Sequence, residues 1–147
     1  MDDPYASHIP VLRALDKKTP FWRVVEYGGG DYSTPFFLSL PHLERLVTVE
    51  DDPEWQERIQ RKYADPRLVI TENAPTDPCD LIFIDNGISP PERVEVIHAV
   101  LSKPHPTVVI HDAEVPAYEQ AIRESGKTYA LHKKLTPNTA VVPPCAS

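Results

Sequence analysis

Two cysteines, one methionine and five glycines are the whole complement of those three residues in this 147-residue chain. Cys79 and Cys145 are too few for a disulfide framework or a cysteine zinc site. No apolar run approaches the roughly 18 residues of a membrane span. The start, Met1-Asp2-Asp3-Pro4, has neither the basic residues nor the apolar stretch of a leader. These absences predict a cytoplasmic protein with no membrane contact. Basic residues are also in short supply: 15 Lys and Arg against 22 Asp and Glu leave a net charge of −7. With no long basic run, general nucleic-acid binding is not expected, although a local patch is not excluded. What is present is a globular composition, 41% hydrophobic and 25% charged. A chain of this length buries roughly 70% of its unfolded surface, enough for one core. A single domain over residues 1–147 is expected.

Proline is abundant, at 17 residues, but scattered rather than clustered in a linker. Thr34-Pro35, Asp52-Pro53 and Ser89-Pro90 read as helix starts. Proline's missing N–H has no partner to lose in the first turn, and the preceding side chain can cap the exposed amides. Ser89-Pro90-Pro91-Glu92 also fits a capping box.

Hydrophobic spacing predicts a first helix over 5–17, with Tyr5, Ile9, Leu12 and Leu15 near one face. Strands are predicted at 22–27, 45–50, 67–71, 80–85 and 107–111. Helices are predicted from Pro35 to before Pro41, after Asp52 (with Trp55, Ile59 and Tyr63 as core residues), over 90–102 and over 115–125. The end, 129–134 and 139–142 around Pro137-Asn138, reads as a two-stranded antiparallel hairpin. Four strands are short, continuously apolar runs, as strands covered on both faces are, and helices alternate with them. The fold class is therefore α/β, a doubly wound, mostly parallel sheet of about seven strands with a C-terminal antiparallel hairpin.

Ligands in such sheets bind beyond the carboxyl ends of the strands. Those ends hold Glu26 to Asp31, Glu50 to Asp52, Glu72-Asn73-Ala74, Asp85-Asn86-Gly87 and His111-Asp112. The first opens into Glu26-Tyr27-Gly28-Gly29-Gly30-Asp31-Tyr32-Ser33, a G-x-G turn before a helix. Glycine there admits backbone angles and close approaches that a β-carbon blocks. Glu50 ends the next strand, 22 residues after Gly28, where a carboxylate can accept both hydroxyls of a ribose. A pyrophosphate favours amide donors without carboxylates nearby. Here Glu26, Asp31, Glu50, Asp51 and Asp52 crowd the expected pocket, and no Lys or Arg occurs from Val24 to Glu44. Ser33 stands where the dinucleotide fingerprint has its third glycine. The pocket suits a cationic ligand carrying an adenosine, such as a sulfonium with an amino group, better than a nicotinamide or flavin dinucleotide.

These residues resemble a known family, the class I S-adenosylmethionine-dependent methyltransferases. Val24-Val25-Glu26-Tyr27-Gly28-Gly29-Gly30-Asp31-Tyr32-Ser33 is similar to their E/D-x-G-x-G first motif. Glu50 matches their ribose-binding acid, and Asn73-Ala74 stands where a polar residue contacts adenine. The final hairpin is similar to their antiparallel sixth and seventh strands. Leu81-Ile82-Phe83-Ile84-Asp85, with Val108-Val109-Ile110-His111-Asp112, resembles a branch of small-molecule O-methyltransferases. The likeness runs over about residues 22–143 in element order. It implies a Rossmann-like fold that binds S-adenosylmethionine and releases S-adenosylhomocysteine. The cofactor residues it implies are Glu26, Tyr27, Gly28, Gly29, Gly30, Ser33, Glu50, Asp51, Asn73, Ala74 and Asp85.

The departures are specific. Thr71–Asp80 is too short for the helix found there in the family. His105-Pro106 replaces a Gly-Gly, and Asn86-Gly87-Ile88-Ser89 lacks the histidine that the branch places after the Asp85 position. No Asn/Asp-Pro-Pro-Tyr/Phe motif is present, which argues against methylation of a base amino group. The acceptor is therefore expected to be a small molecule methylated on oxygen. Its pocket must come from helix 5–17, loops or a second copy of the chain.

Asp85, His111 and Asp112 are the catalytic candidates. Asp85 or His111 would take the hydroxyl proton, with Asp112 orienting His111. The plainer alternative makes Asp85 and Asp112 helix caps and His111 a satisfied strand-end residue. Asp85 and Asp112 offer oxygen ligands to a divalent ion, but no third ligand stands out, and no metal is expected. Two other functions stay open: a non-catalytic binding or scaffold subunit with this fold, and an NAD-dependent oxidoreductase.

Overall fold

The structure is a computed structural model and describes residues 6–87 and 89–146. Helices and strands alternate in the order α1 (Ile9–Lys18), β1 (Arg23–Tyr27), α2 (Ser33–Leu38), β2 (Arg45–Val49), α3 (Pro53–Lys62), β3 (Leu68–Thr71), β4 (Leu81–Ile84), α4 (Pro90–Leu101), β5 (Thr107–His111), α5 (Pro116–Glu124), β6 (Ala130–His132) and β7 (Thr139–Val142). The first helix begins later than its hydrophobic spacing suggests, because Pro10 belongs in the first turn and His8 is the residue that precedes the helix. Tyr5, expected on that helix, lies outside the described residues.

Among the described residues, seven strands form one sheet in the order β3-β2-β1-β4-β5-β7-β6. The first five run parallel, while β7 pairs antiparallel with both β5 and β6. Side chains alternate between faces and divide the core in two. Leu81, Phe83, Val109 and Val141 pack beneath α1 and α2 with Leu12, Phe36 and Phe37. Ile84, Val108, Ile110, Ala140 and Val142 pack on the other face with residues of α4 and α5 such as Ile97, Leu101 and Ile122. Burial of the central strands on both sides accounts for their continuous apolar runs. No helix separates β3 from β4 among the described residues, as the short Thr71–Asp80 segment predicts.

The three proline starts differ. Asp52 caps α3, its carboxylate accepting from the amides of Glu54 and Trp55. Ser89 precedes α4 in an extended conformation but makes no side-chain cap. Thr34 is not a cap: α2 starts one residue earlier, and the Thr34 hydroxyl is drawn down to the buried Glu26. Since β1 and β4 are adjacent and the chain winds away from them in opposite directions, the topological switch point lies at their carboxyl ends.

Candidate active site

Gly28 follows β1 with φ +83°, and a β-carbon on it would lie 2.6 Å from the Asp85 carbonyl oxygen. This closeness lets β1 and β4 open a common floor. Gly29 is required for a different reason: a β-carbon would meet Ile59 and Thr48 side-chain carbons at 2.7 Å. Gly30 has open space around it. From α3, the Trp55 indole N–H donates to the Gly29 carbonyl (2.7 Å), and just past the helix the Tyr63 hydroxyl donates to that of Gly30 (3.2 Å). Both aromatics are half-buried and hold the loop, so their expected place in the core is corrected. A buried indole or phenol needs a polar partner, and the loop carbonyls supply it.

Glu26 does not reach the cleft. It is fully buried, and its carboxylate accepts hydrogen bonds from Thr34 (2.6 Å), Thr48 (2.7 Å) and Ser33 (3.0 Å). Thr34 in turn accepts from the Gly30 amide at 3.1 Å. The carboxyl thus pins the loop and the start of α2 from below. Burial pushes its pKa up to about 7, with the three hydroxyls pulling the other way. Glu26, expected at the cofactor, instead enters an internal network, because the strand's period of two turns it inward, while Ser33 joins that network and also borders the smaller cavity beside the cleft.

A cleft of about 720 Å³ opens at the switch point. It gathers Tyr27, Gly28, Gly29, Glu50, Asp51, Asn73, Ala74 and Asp85, eight of the residues expected at a cofactor. Seven carboxylates line it (Glu50, Asp51, Asp52, Glu72, Asp85, Glu92 and Glu95), and among the described residues no Lys or Arg does. Burial raises the pKa of half-buried Glu50, and the nearby Asp51, Asp52 and Glu92 charges act in the same direction. The Asn86 side-chain oxygen, also in this wall, is buried with no hydrogen-bond partner among the described residues. Asp31 departs from the expected acidic wall. Lys62 (2.7 Å) and Arg58 (3.6 Å) reach it from α3, so cations do approach the loop from outside the 24–44 stretch.

Asp85 also borders a second cavity, of about 370 Å³, lined by Gly30, Asp31, Tyr32, Ser33, His111 and His8. There the catalytic candidates come together. His111 Nδ1 lies 3.3 Å from both Asp85 Oδ1 and Asp112 Oδ2. Its Nε2 lies 3.1 Å from the Ser7 hydroxyl, which donates its own proton to the Pro137 carbonyl (2.8 Å). Ser7 can then only accept from Nε2–H, while Nδ1 faces two carboxylates, so the geometry requires an imidazolium. Burial disfavours that charge, but the hydrogen bonds and charges of Asp112 and Asp85 outweigh it and push the pKa up to about 9. The Asp112 carboxyl shows the reciprocal effect. Burial would raise it, yet His111 and Arg93 hold it down at about 2.

Arg93 is the residue that sequence reasoning passed over. It is 5% exposed and reaches from α4 to Asp85 (3.1 Å), Asp112 (3.0 Å), the Asn86 carbonyl (2.8 Å) and the His111 carbonyl (3.1 Å). Its guanidinium also stacks over the Tyr118 ring, 4.6 Å from the centroid. One side chain therefore ties the ends of β4 and β5 together, and holds Asp112 in a left-handed conformation, φ 57°. Neither aspartate caps a helix, since α4 follows Ser89 and α5 follows Val115, both without side-chain caps. Asp85, His111 and Asp112 bring their ligand atoms within 4.8 Å of one another. The two cations already beside the two carboxylates balance their charge, which does not fit a divalent ion.

Parallel strands in this order, with a reversed final hairpin, form a fold that this chain shares with solved methyltransferases. Three solved structures illustrate the likeness. The methyltransferase domain of bacterial CtHen1 is 11% identical, with a TM-score of 0.71, over 96% of this chain and 100% of that one. The O-methyltransferase TomG from Streptomyces achromogenes, solved with SAM, is 18% identical, with a TM-score of 0.62, over 98% of this chain and 81% of that one. MtNAS is 17% identical, with a TM-score of 0.65; the match covers 96% of this chain but only 61% of MtNAS. No family model and no curated protein matches the sequence.

Proposed function

We propose that the protein is an S-adenosylmethionine-dependent methyltransferase, of one domain over residues 1–147, that methylates an oxygen of a small molecule. The observation that carries this reading is the cleft in which, among the described residues, seven carboxylates and no Lys or Arg form the wall. Such a wall attracts a sulfonium and an α-ammonium and repels a pyrophosphate. TomG, which shares the fold, is an O-methyltransferase solved with SAM. When bound, S-adenosylmethionine supplies a methyl group on a sulfonium sulfur. Glu50 would accept the ribose hydroxyls, with Asp51 beside it. Tyr27 and the unpartnered Asn86 oxygen, together with Asn73 and Ala74, would meet the base, and Gly28 and Gly29 leave the room that β-carbons would take.

Asp85 borders both the cleft and the second cavity, the position for a group that receives a proton as the methyl acceptor reacts. Arg93 and His111 fix its position there through its Oδ1. With both N–H groups committed, His111 acts as a fixed positive charge rather than as the base, and Asp112 anchors it. Aligning donor and acceptor in adjoining pockets can alone lower the barrier by roughly 7–11 kcal/mol. A second copy of the chain is a further proposed partner, completing the acceptor side. The reading also implies a cytoplasmic enzyme of the methyl-transferring class.

Titration calorimetry with S-adenosylmethionine, S-adenosylhomocysteine and NAD(H) tests it. Binding of the first two and not of the third is expected. Heat only from NAD(H), or from none of them at millimolar ligand, would overturn the proposal. Binding without turnover across a panel of hydroxylated acceptors would favour a non-catalytic subunit.

A further inference from the structure

Cys79 and Cys145 are both reduced, but their surroundings differ. Burial and the nearby Asp80 carboxylate push the Cys79 thiol up to about 11, which keeps it protonated and inert. Cys145 is half-buried between exposed Pro144 and Ala146, in the segment that follows β7. Lys127, from the loop between α5 and β6, donates to the Cys145 sulfur at 2.9 Å across 18 residues of chain. Thiol reactivity follows the thiolate, and a lysine charge beside the sulfur favours the thiolate over the thiol.

A backbone bridge holds the sulfur in place. His105 and Cys145 exchange both of their amide-to-carbonyl hydrogen bonds, at 2.8 and 2.9 Å, as the chain enters β5. Residues opposed in this way project their side chains to one face. His105 is 6% exposed; its Nδ1–H donates to the Pro106 carbonyl at 2.7 Å, and its Nε2 is buried with no hydrogen-bond partner among the described residues. The Cys145 side of the bridge thus holds an acceptor without a donor, and the thiol does not supply one. An O–H or N–H attached to the sulfur carries a proton one bond further toward it.

We propose that Lys127 and Cys145 form an oxidant-responsive covalent clasp, in which a hydroperoxide joins Nζ to Sγ as a sulfenamide. The thiolate attacks one peroxide oxygen, forming an S–O bond and breaking the O–O bond, while the ammonium protonates the departing oxygen to water. A sulfenic acid then faces a neutral amine. The amine nitrogen attacks the sulfur, the S–O bond breaks, and the hydroxyl leaves as a second water with one amine proton. The sulfur has been oxidised by two electrons and the peroxide reduced to two waters. The clasp ties the segment after β7 to the loop after α5, at the end of the β5–β7 pair away from His111. It is independent of the cofactor reading.

The chain treated with hydrogen peroxide, alkylated under denaturing conditions and mapped by peptide mass spectrometry tests the clasp. The Lys127 and Cys145 peptides are expected to appear joined, lighter than their sum by two hydrogens, and to separate on addition of dithiothreitol, with Cys79 still alkylated. The joined form should also melt at a higher temperature than the reduced form, because it closes a loop in the unfolded chain. Lys127→Arg keeps the charge and removes the amine. In that variant Cys145 should take up oxygen and react with dimedone, and no joined peptide should form. Oxygen added to Cys145 of the unsubstituted chain without a joined peptide would overturn the proposal. So would a Cys79–Cys145 disulfide, an unreacted Cys145, or joined Cys145 peptides persisting in Lys127→Arg.

Discussion

Replacing His111 by glutamine tests the charge assignment at the centre of the site. The imidazolium is favoured in the fold, with a pKa of about 9 against 6.5 for an ordinary histidine. That difference corresponds to about 3 kcal/mol of stability. Read from its partner, whose carboxyl falls from 3.8 to about 2, the effect is about 2 kcal/mol. These are one set of contacts seen from two ends and do not add. The His111 figure applies here because Asp85 and Asp112 both act on that ring, and His111 is the group that titrates. The sign follows from the raised value: the stabilisation is complete below pH 6.5 and disappears as pH rises through 9. A glutamine side chain in its place cannot titrate. In urea denaturation the stability difference between the unsubstituted chain and His111→Gln should therefore shrink by about 3 kcal/mol between about pH 6 and pH 10. An NMR titration of the ring should give a midpoint near 9. A difference that stays constant with pH, or a ring that titrates below 6.5, would refute the imidazolium and return His111 to candidacy as the base.

The loop glycines should separate cleanly. Gly28→Ala places a β-carbon at positive φ and 2.6 Å from the Asp85 carbonyl; the left-handed conformation alone costs about 1–2 kcal/mol. Chemical denaturation should show at least that loss, whereas Gly30→Ala, with open space around it, should stay within about 0.5 kcal/mol. Glu26→Gln should alter the pH dependence of stability. The Glu26 carboxyl is raised from 4.5 to about 7 in the fold, so its contribution is complete below pH 4.5 and lost as pH rises through 7. The uncharged amide has no such loss, and the stability of Glu26→Gln relative to the unsubstituted chain should rise across that interval; an unchanged or falling difference would contradict the buried network.

Continuous apolar runs made the sheet legible, because period-two alternation obliges each central strand to offer apolar side chains to two covered faces. The same rule concealed the fate of Glu26. Counted along the chain, Glu26 stands beside the glycine turn; in the pleat it points inward, where three hydroxyls meet it. Arg93 escaped notice for a related reason. It shares a helix face with Ile97, Val100 and Leu101, all buried, and a cation at an apolar position of that period signals an internal partner. Trp55, Ile59 and Tyr63 form the reverse case: an apolar stripe reads as core, but only Ile59 is buried, and the other two donate from their polar ends to the loop. The acidity of the cleft has the same long-range origin. Glu50, Asp51, Asp52 and Asp85 follow from strand ends, whereas Glu92 and Glu95 enter from the opening of α4 across the floor from β2. Each carboxylate alone reads as a surface group. Their convergence, with no Lys or Arg in the wall among the described residues, makes the cleft acidic, and that convergence is set by the order in which the strands lie rather than by any local motif.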